Sequence, residues 1–378
     1  MEEDGMLAEF KVRNYKNFRD ELHLSLETGK NYEFNQKAVY NGIVKDSVIV
    51  GYNASGKTNL GRAIMDIIIH LTDKSEKSAN EQSNIFYSNL YSQDDIVSFV
   101  YKFKFASSLL EYAYEKKTPR HVIRESIKIN GKKVIINNED SCSVNLKGSE
   151  TLNLEHWDKS ISLVKYIYAN TVLDKEDKEC QVFLEFMKFV NQMLWFTSTE
   201  GLRAIGFLSS ASASGNMLED ICNLENGIEN LELFLHEVNL PFTLLEKDNG
   251  EGKTIYCKMG NKEVAFAPLL SSGTRALVFL YLWYMQKDSF SFIFIDEFDA
   301  FYHTDLSIRV IQKLMAEKNL QVIFTSHNTD IISNELLRPD CYFLLDDNTI
   351  QPFCNLTDKS LREAHNLQKM YKAGAFHE

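Results

Sequence analysis

Apolar and polar residues alternate over Ala8 to Val12 and again over Glu21 to Leu26, with Asn14-Tyr15-Lys16-Asn17 between them. That pattern predicts two strands joined by a turn. Ser47-Val48-Ile49-Val50 is a short continuous apolar run, the mark of a buried parallel strand. Leu60, Ile64, Ile67, Ile68 and Leu71 then recur at helical spacing. A second alternation places Val97, Phe99, Tyr101, Phe103 and Phe105 on one face, so strands are expected over about 95–135. From Asp174 to Asn239 the period is helical: Phe183, Phe186, Met187, Val190 and Met193-Leu194 recur at three and four, as do Leu231, Leu233, Phe234 and Val238. Thr254 to Phe266 returns to strand. The last third alternates: a helix from Gly273 to Gln286, a strand Phe292 to Ile295, a helix Leu306 to Lys318, and strands Gln321 to Thr325 and Cys341 to Leu345.

Strands alternating with helices predict an α/β fold with a mixed, largely parallel sheet. The sheet-forming half is expected to be discontinuous, 1–90 and 255–378, with the strands of about 95–135 packed on it. Residues 136–254 read as a mainly helical insertion, a lid or oligomerisation subdomain. No internal repeat, sustained heptad or low-complexity tract interrupts this scheme.

Composition narrows the functions. The chain is 44% hydrophobic and 25% charged, so its 378 residues can bury an ordinary core. The six cysteines are scattered without a C-x-x-C pair, which predicts reduced thiols rather than a zinc site. The longest apolar runs fall short of the roughly 20 residues of a membrane span. With an acidic Met1 to Asp4 in place of a signal segment, a cytoplasmic protein with no membrane partner is expected. The net charge of -12 does not signal nucleic acid, although it leaves room for a local groove. The densest basic stretch, from Lys116 to Lys133, overlaps alternating Val122, Ile123, Ile127 and Ile129 and the turn Asn130-Gly131; it reads as a solvated hairpin.

Four segments carry chemistry. Gly51-Tyr52-Asn53-Ala54-Ser55-Gly56-Lys57-Thr58, followed by Asn59, fits G-x-x-x-x-G-K-[ST] between a buried strand and an amphipathic helix. The backbone N–H groups of such a loop surround phosphates, its lysine reaches β- and γ-phosphate oxygens, and its Thr58 hydroxyl holds Mg²⁺. The strand Phe292 to Ile295 ends in Asp296-Glu297. Beside a phosphate loop, Asp296 would enter the Mg²⁺ shell and Glu297 would deprotonate the attacking water. Ser271-Ser272-Gly273-Thr274 opens a helix; alone it is an N-cap, and in company a second anion site. His327 ends another buried strand, where it can bond a γ-phosphate or the attacking water.

Phosphate loop, Ser271-Ser272-Gly273, Asp296-Glu297 and His327, in that order, resemble the Walker A, signature, Walker B and switch-histidine series of ABC-type ATPases. Asn14-Tyr15-Lys16-Asn17-Phe18 looks like the N-F-[KR]-S segment of the RecF and SMC branch, which implies that Lys16 and Asn17 lie near nucleotide. Ser-Ser-Gly-Thr-Arg at 271–275, Asp296-Glu297-Phe298-Asp299 with His303, Thr325-Ser326-His327-Asn328, Leu337-Arg338-Pro339-Asp340 and the tail from Lys369 to Phe376 resemble the AAA-15/AAA-21 family of anti-phage and abortive-infection ATPases. The resemblance covers about 1–70 and 255–378. It departs from the ABC pattern in its Ser-Ser-Gly-Thr signature and in His303, which stands at the D-loop aspartate position. Gln82 and Gln93 are the candidates for the Q-loop.

The resemblance implies an ATP- and Mg²⁺-dependent ATPase that dimerises, or assembles further, around nucleotide, with Ser271 to Thr274 of one copy capping ATP held by another. It implies a sensor or scaffold controlling a separately encoded effector, a nuclease, in phage defence. The alternatives are a RecF- or SMC-like repair ATPase that binds DNA, and a scaffold that binds ATP without turnover. A ring-forming AAA+ ATPase would place its acidic strand much nearer Lys57 than Asp296 stands. Too few residues follow His327 for a fused nuclease of the overcoming-lysogenisation type.

Overall fold

The computed structural model describes residues 5–72, 74, 87–138, 140–155, 157–197, 199, 203–206, 217–248, 250 and 252–376. Two seven-stranded sheets form its frame. One is antiparallel throughout, in the order Cys142–Val144, Lys132–Asn137, His121–Ile129, Ser108–Thr118, Val97–Phe105, Met6–Arg13 and Leu22–Ser25. The expected alternation is visible there as burial: Val97, Phe99, Tyr101, Phe103 and Phe105 are buried and their neighbours are not. The hairpin at Asn130-Gly131 forms as expected, with both residues at positive φ (50° and 81°).

The second sheet runs Arg203–Gly206, Met193–Thr197, Phe292–Asp296, Gln321–Ser326, Asp46–Val50, Tyr342–Asp346 and Thr349–Pro352. Its five inner strands are parallel and its two edges antiparallel, which gives the mixed, largely parallel sheet. Every residue of Asp46–Val50, Phe292–Asp296 and Gln321–Ser326 is buried, as strands covered on both faces require. Gln321 joins the two sheets, exchanging hydrogen bonds with the backbone of Leu7 (2.8 and 2.9 Å) and donating to Val44 O.

Two placements differ from the sequence expectation. Met193–Thr197, read as the end of a helix, is a parallel strand beside Phe292–Asp296. All five of its residues are buried, and a run buried on both faces shows no period that separates strand from helix. The helical insertion therefore lends a strand to the parallel sheet. Lys253–Met259 and Lys262–Ala265, placed by sequence in the parallel half, form with Leu244–Asp248 a separate three-stranded meander. The N-terminal strands join the antiparallel sheet with the 97–137 strands. Among the described residues between Leu163 and Glu237 the helices are Leu163–Asn170, Lys178–Asn191, Met217–Cys222 and Gly227–Glu237.

No helix of the described residues is long and apolar enough to cross a membrane. Five cysteines are buried and Cys142 is half-buried; none is in a disulfide. Four of the seven Lys and Arg of the basic stretch are in ion pairs: Lys116 with Asp66, Arg124 with Glu115, Lys128 with Glu111 and Lys132 with Glu179.

Candidate nucleotide site

The parallel strands Asp46–Val50, Phe292–Asp296 and Gln321–Ser326 are adjacent, so their carboxyl ends deliver Gly51, Glu297 and His327 to one edge of the sheet. That edge is where open α/β sheets bind ligands. The loop from Gly51 leads into the helix Lys57–Ile64. Gly51 is required because a Cβ there would sit 2.4 Å from Leu345 O. Gly56 is required by its φ of 102°, and Asn17 Nδ2 lies 2.4 Å from the position a Cβ would take. Gly61 lets the same helix close on Phe294 and Trp195 of the sheet.

Lys57 donates to Gly51 O (2.8 Å) and Tyr52 O (3.1 Å), and its Nζ is 3.3 Å from His327 Nδ1. Burial pushes the ammonium down to about 8, against the pull of Glu297 and Asp296. Asp296 is buried under the hydroxyls of Thr58 and Thr325, the latter at 2.7 Å. Its burial raises its pKa, and the two hydroxyls oppose the rise. Glu297 adopts a left-handed backbone (φ 47°), held by its N–H on Thr325 Oγ1 at 2.8 Å. This aims its carboxylate at His327, whose Nε2 is 3.6 Å from Oε1. Asp299 accepts a 2.6 Å bond from Ser326, and Asn328 reaches Thr304 at 3.0 Å, so the segments after the two strands are tied together.

The turn expected near nucleotide lies against the loop. Asn17 accepts from Asn59 Nδ2 at 2.6 Å and donates to Ser55 O at 3.5 Å. Lys16 has its pKa lowered by burial first and by Arg62 second. Asn53 is exposed on the loop, and Ala54 beside it takes φ 64°.

The signature segment opens the helix Ser272–Tyr284. Ser271 caps it, accepting from Thr274 N–H at 3.2 Å, and is exposed together with Ser272. A Cβ on Gly273 would lie 2.7 Å from Phe301 O, so this helix start abuts the segment following Glu297. His303 is exposed at the N-cap of Thr304–Met315 without capping it by its side chain. Gln82 lies outside the described residues. Gln93 is exposed, in the loop beside the Lys16 turn. Thr325 enters the sequence reading only as part of Thr325-Ser326-His327-Asn328, with no role, yet it holds both Asp296 and the Glu297 N–H. Its role had one physical signal, a hydroxyl at the end of an otherwise apolar strand.

Residues 196–333 match the family described as "AAA domain, putative AbiEii toxin, Type IV TA system". That stretch, somewhat over a third of the chain, is similar to the AAA-21 family. The matched stretch contains Ser271 to Thr274, Asp296-Glu297 and His327; Gly51 to Thr58 lies before it. No curated protein matches the chain. Among solved structures it is similar to the SMC head domain of Thermotoga maritima, at 14% identity, with 91% of this chain and 97% of that chain covered and a TM-score of 0.45. It is also similar to the Smc head domain with extended coiled coil bound to the C-terminal domain of ScpA, from Pyrococcus furiosus (13%, 98% and 98%, TM-score 0.46). RecF, the recombination mediator of the RecFOR pathway, matches at 12%, with 93% and 99% covered and a TM-score of 0.40.

Proposed function

We propose that the chain hydrolyses ATP and that two copies close around the nucleotide, turning occupancy into a signal for a separately encoded effector. The observation that supports this best is the convergence of Lys57, His327 and Glu297 within 3.3 and 3.6 Å contacts, with Asp296 on Thr58 beside them. Gly51, Asn53, Ala54, Gly56 and the helix start offer N–H donors to a triphosphate, and Lys57 would turn from the Gly51 and Tyr52 carbonyls to its oxygens. The Thr58 hydroxyl and Asp296 carboxylate are paired hard oxygen donors, which fits Mg²⁺. That ion would supply charge neutralisation of the phosphates.

Glu297 takes the proton of a water attacking the γ-phosphorus; the bond to the β-phosphate oxygen breaks, leaving ADP and phosphate. His327 fixes the Glu297 carboxylate and presents its other nitrogen toward Lys57. The exposed Ser271, Ser272 and the N–H groups after them suit the γ-phosphate held by a second copy, which would make ATP the bridge between subunits. The AbiEii description supports a place in a toxin–antitoxin system; the separately encoded effector of this proposal is a nuclease. Pairing of the basic hairpin by Asp66, Glu115, Glu111 and Glu179 weighs against a DNA-coating role.

The test is the mass of Glu297→Gln protein in solution with and without ATP and Mg²⁺. Nucleotide-dependent doubling, or a higher multiple, is the expected result. An unchanged mass would remove the sandwich from the proposal.

A further inference from the structure

We infer that Asp66 is a positioning residue for the nucleotide turn: through Tyr87 it fixes the backbone of Lys16 relative to the helix that Lys57 opens. The inference rests on the ATP reading above and adds the device that holds one side of that site. Lys16 occupies a left-handed conformation (φ 50°) that a lysine does not choose by itself. Both of its backbone polar groups are held by one short segment. Its N–H donates to Tyr87 O at 3.1 Å, and its carbonyl accepts from Asn89 Nδ2 at 2.6 Å. Asn89 N–H in turn donates to Asn14 O.

That segment is anchored from below. Tyr87 donates its hydroxyl to Asp66 Oδ2 at 2.9 Å, and Asp66 Oδ1 accepts from Tyr114 (2.9 Å) and Lys116 (2.5 Å). Asp66, Lys116, Tyr87 and Tyr114 are all buried. Asp66 opens the short helix Asp66–Leu71 directly after the helix of Lys57. Tyr101 extends the same cluster to that helix by donating to Ala63 O at 2.9 Å. The Tyr15 and Tyr87 rings meet edge-on at 5.5 Å, so packing and hydrogen bonding locate the same turn.

A buried ion pair is a poor source of net stability, since apolar residues of equal volume do as well. Directional bonds from one carboxylate to two phenols and an ammonium do what apolar packing cannot. They fix Tyr87, and so Lys16, in register with the first turn of the phosphate-binding helix. Asn17, the next residue, then seats on Gly56.

The experiment measures ATP affinity of the full chain by equilibrium binding for wild type, Tyr87→Phe, Lys16→Ala and the double variant, with the melting temperature and kcat of each. Tyr87→Phe keeps the ring and removes only the hydroxyl that reaches Asp66. It is expected to weaken ATP about fivefold, with kcat within about twofold, as for one lost positioning bond. The double variant is expected to bind no more weakly than Lys16→Ala alone, because both changes act through one side chain. Unchanged ATP affinity in Tyr87→Phe, or effects that multiply in full, would overturn the positioning role. Asn89→Ala, which frees the Lys16 carbonyl, repeats the cycle if Tyr87→Phe does not fold. Lys57→Ala separates the two levels: if it binds ATP as wild type does, the ATP reading fails, whereas its loss of binding beside full multiplicativity sinks the positioning role alone.

Discussion

His327 Nε2 lies 3.6 Å from Glu297 Oε1, while the other ring nitrogen of His327 faces Lys57 at 3.3 Å. One imidazole thus spans the distance between the residue suited to hold a γ-phosphate and the residue suited to activate water. Its replacement separates chemistry from binding. His327→Ala is expected to lower kcat by about 10²-fold, the low end for a displaced general-base partner, and to change ATP affinity by less than about threefold. Steady-state and equilibrium measurements on one preparation check it; an equal loss in both would make His327 a binding residue.

Lys57 leads to a pH prediction. Its ammonium is pushed down to about 8, mainly by burial. A triphosphate prefers the charged form, so affinity is constant below that pH and falls above it, by about tenfold per unit once the neutral amine dominates. Titration of metal-free ATP binding between pH 6.5 and pH 10 reads this directly. Lys57→Arg keeps its charge throughout and should flatten the profile; a wild-type profile already flat to pH 10 would refute the assignment.

A composite site predicts complementation. Lys57→Ala spoils the phosphate loop and Gly273→Asp spoils the signature, the latter because even a Cβ there meets Phe301 O. Each protein alone should be inactive. Mixed one to one, half the pairs are mixed and hold one intact site of two, so about a quarter of wild-type ATPase activity should return. Absence of any recovery, in a mixture shown to exchange subunits, would mean that each chain works alone.

The buried Lys116–Asp66 pair gives a stability prediction independent of ATP. Lys116→Met leaves Asp66 charged and buried between two phenols, and should cost about 3–5 kcal/mol in denaturant unfolding. Asp66→Asn with Lys116→Met should recover part of that loss, because the unpaired charge is gone.

The phosphate loop was legible in the sequence because its chemistry is local. Gly51, Gly56, Lys57 and Thr58 stand within one turn of chain, and the burial of Asp46–Val50 and the start of the helix at Lys57 follow from residues immediately around them. Asp296, Glu297 and His327 were legible for a related reason: each ends an apolar run, and a parallel sheet delivers the ends of such runs to a common edge.

Tertiary structure alone decided which strand joins which sheet, because pairing is set by partners distant in the chain. Met193–Thr197 has no period to declare itself a strand and becomes one only beside Phe292–Asp296. The N-terminal strands have clear periods, yet nothing in them states that Met6–Arg13 pairs with Val97–Phe105 rather than with the parallel strands. The same holds for the contacts that complete the site. Thr325 reaching both Asp296 and Glu297, Asn17 resting on Gly56, and Asp66 meeting Tyr87, Tyr114 and Lys116 join residues far apart in sequence. Sequence patterns report burial and local geometry; hydrogen-bond partners across the core exist only once the chain has closed on itself.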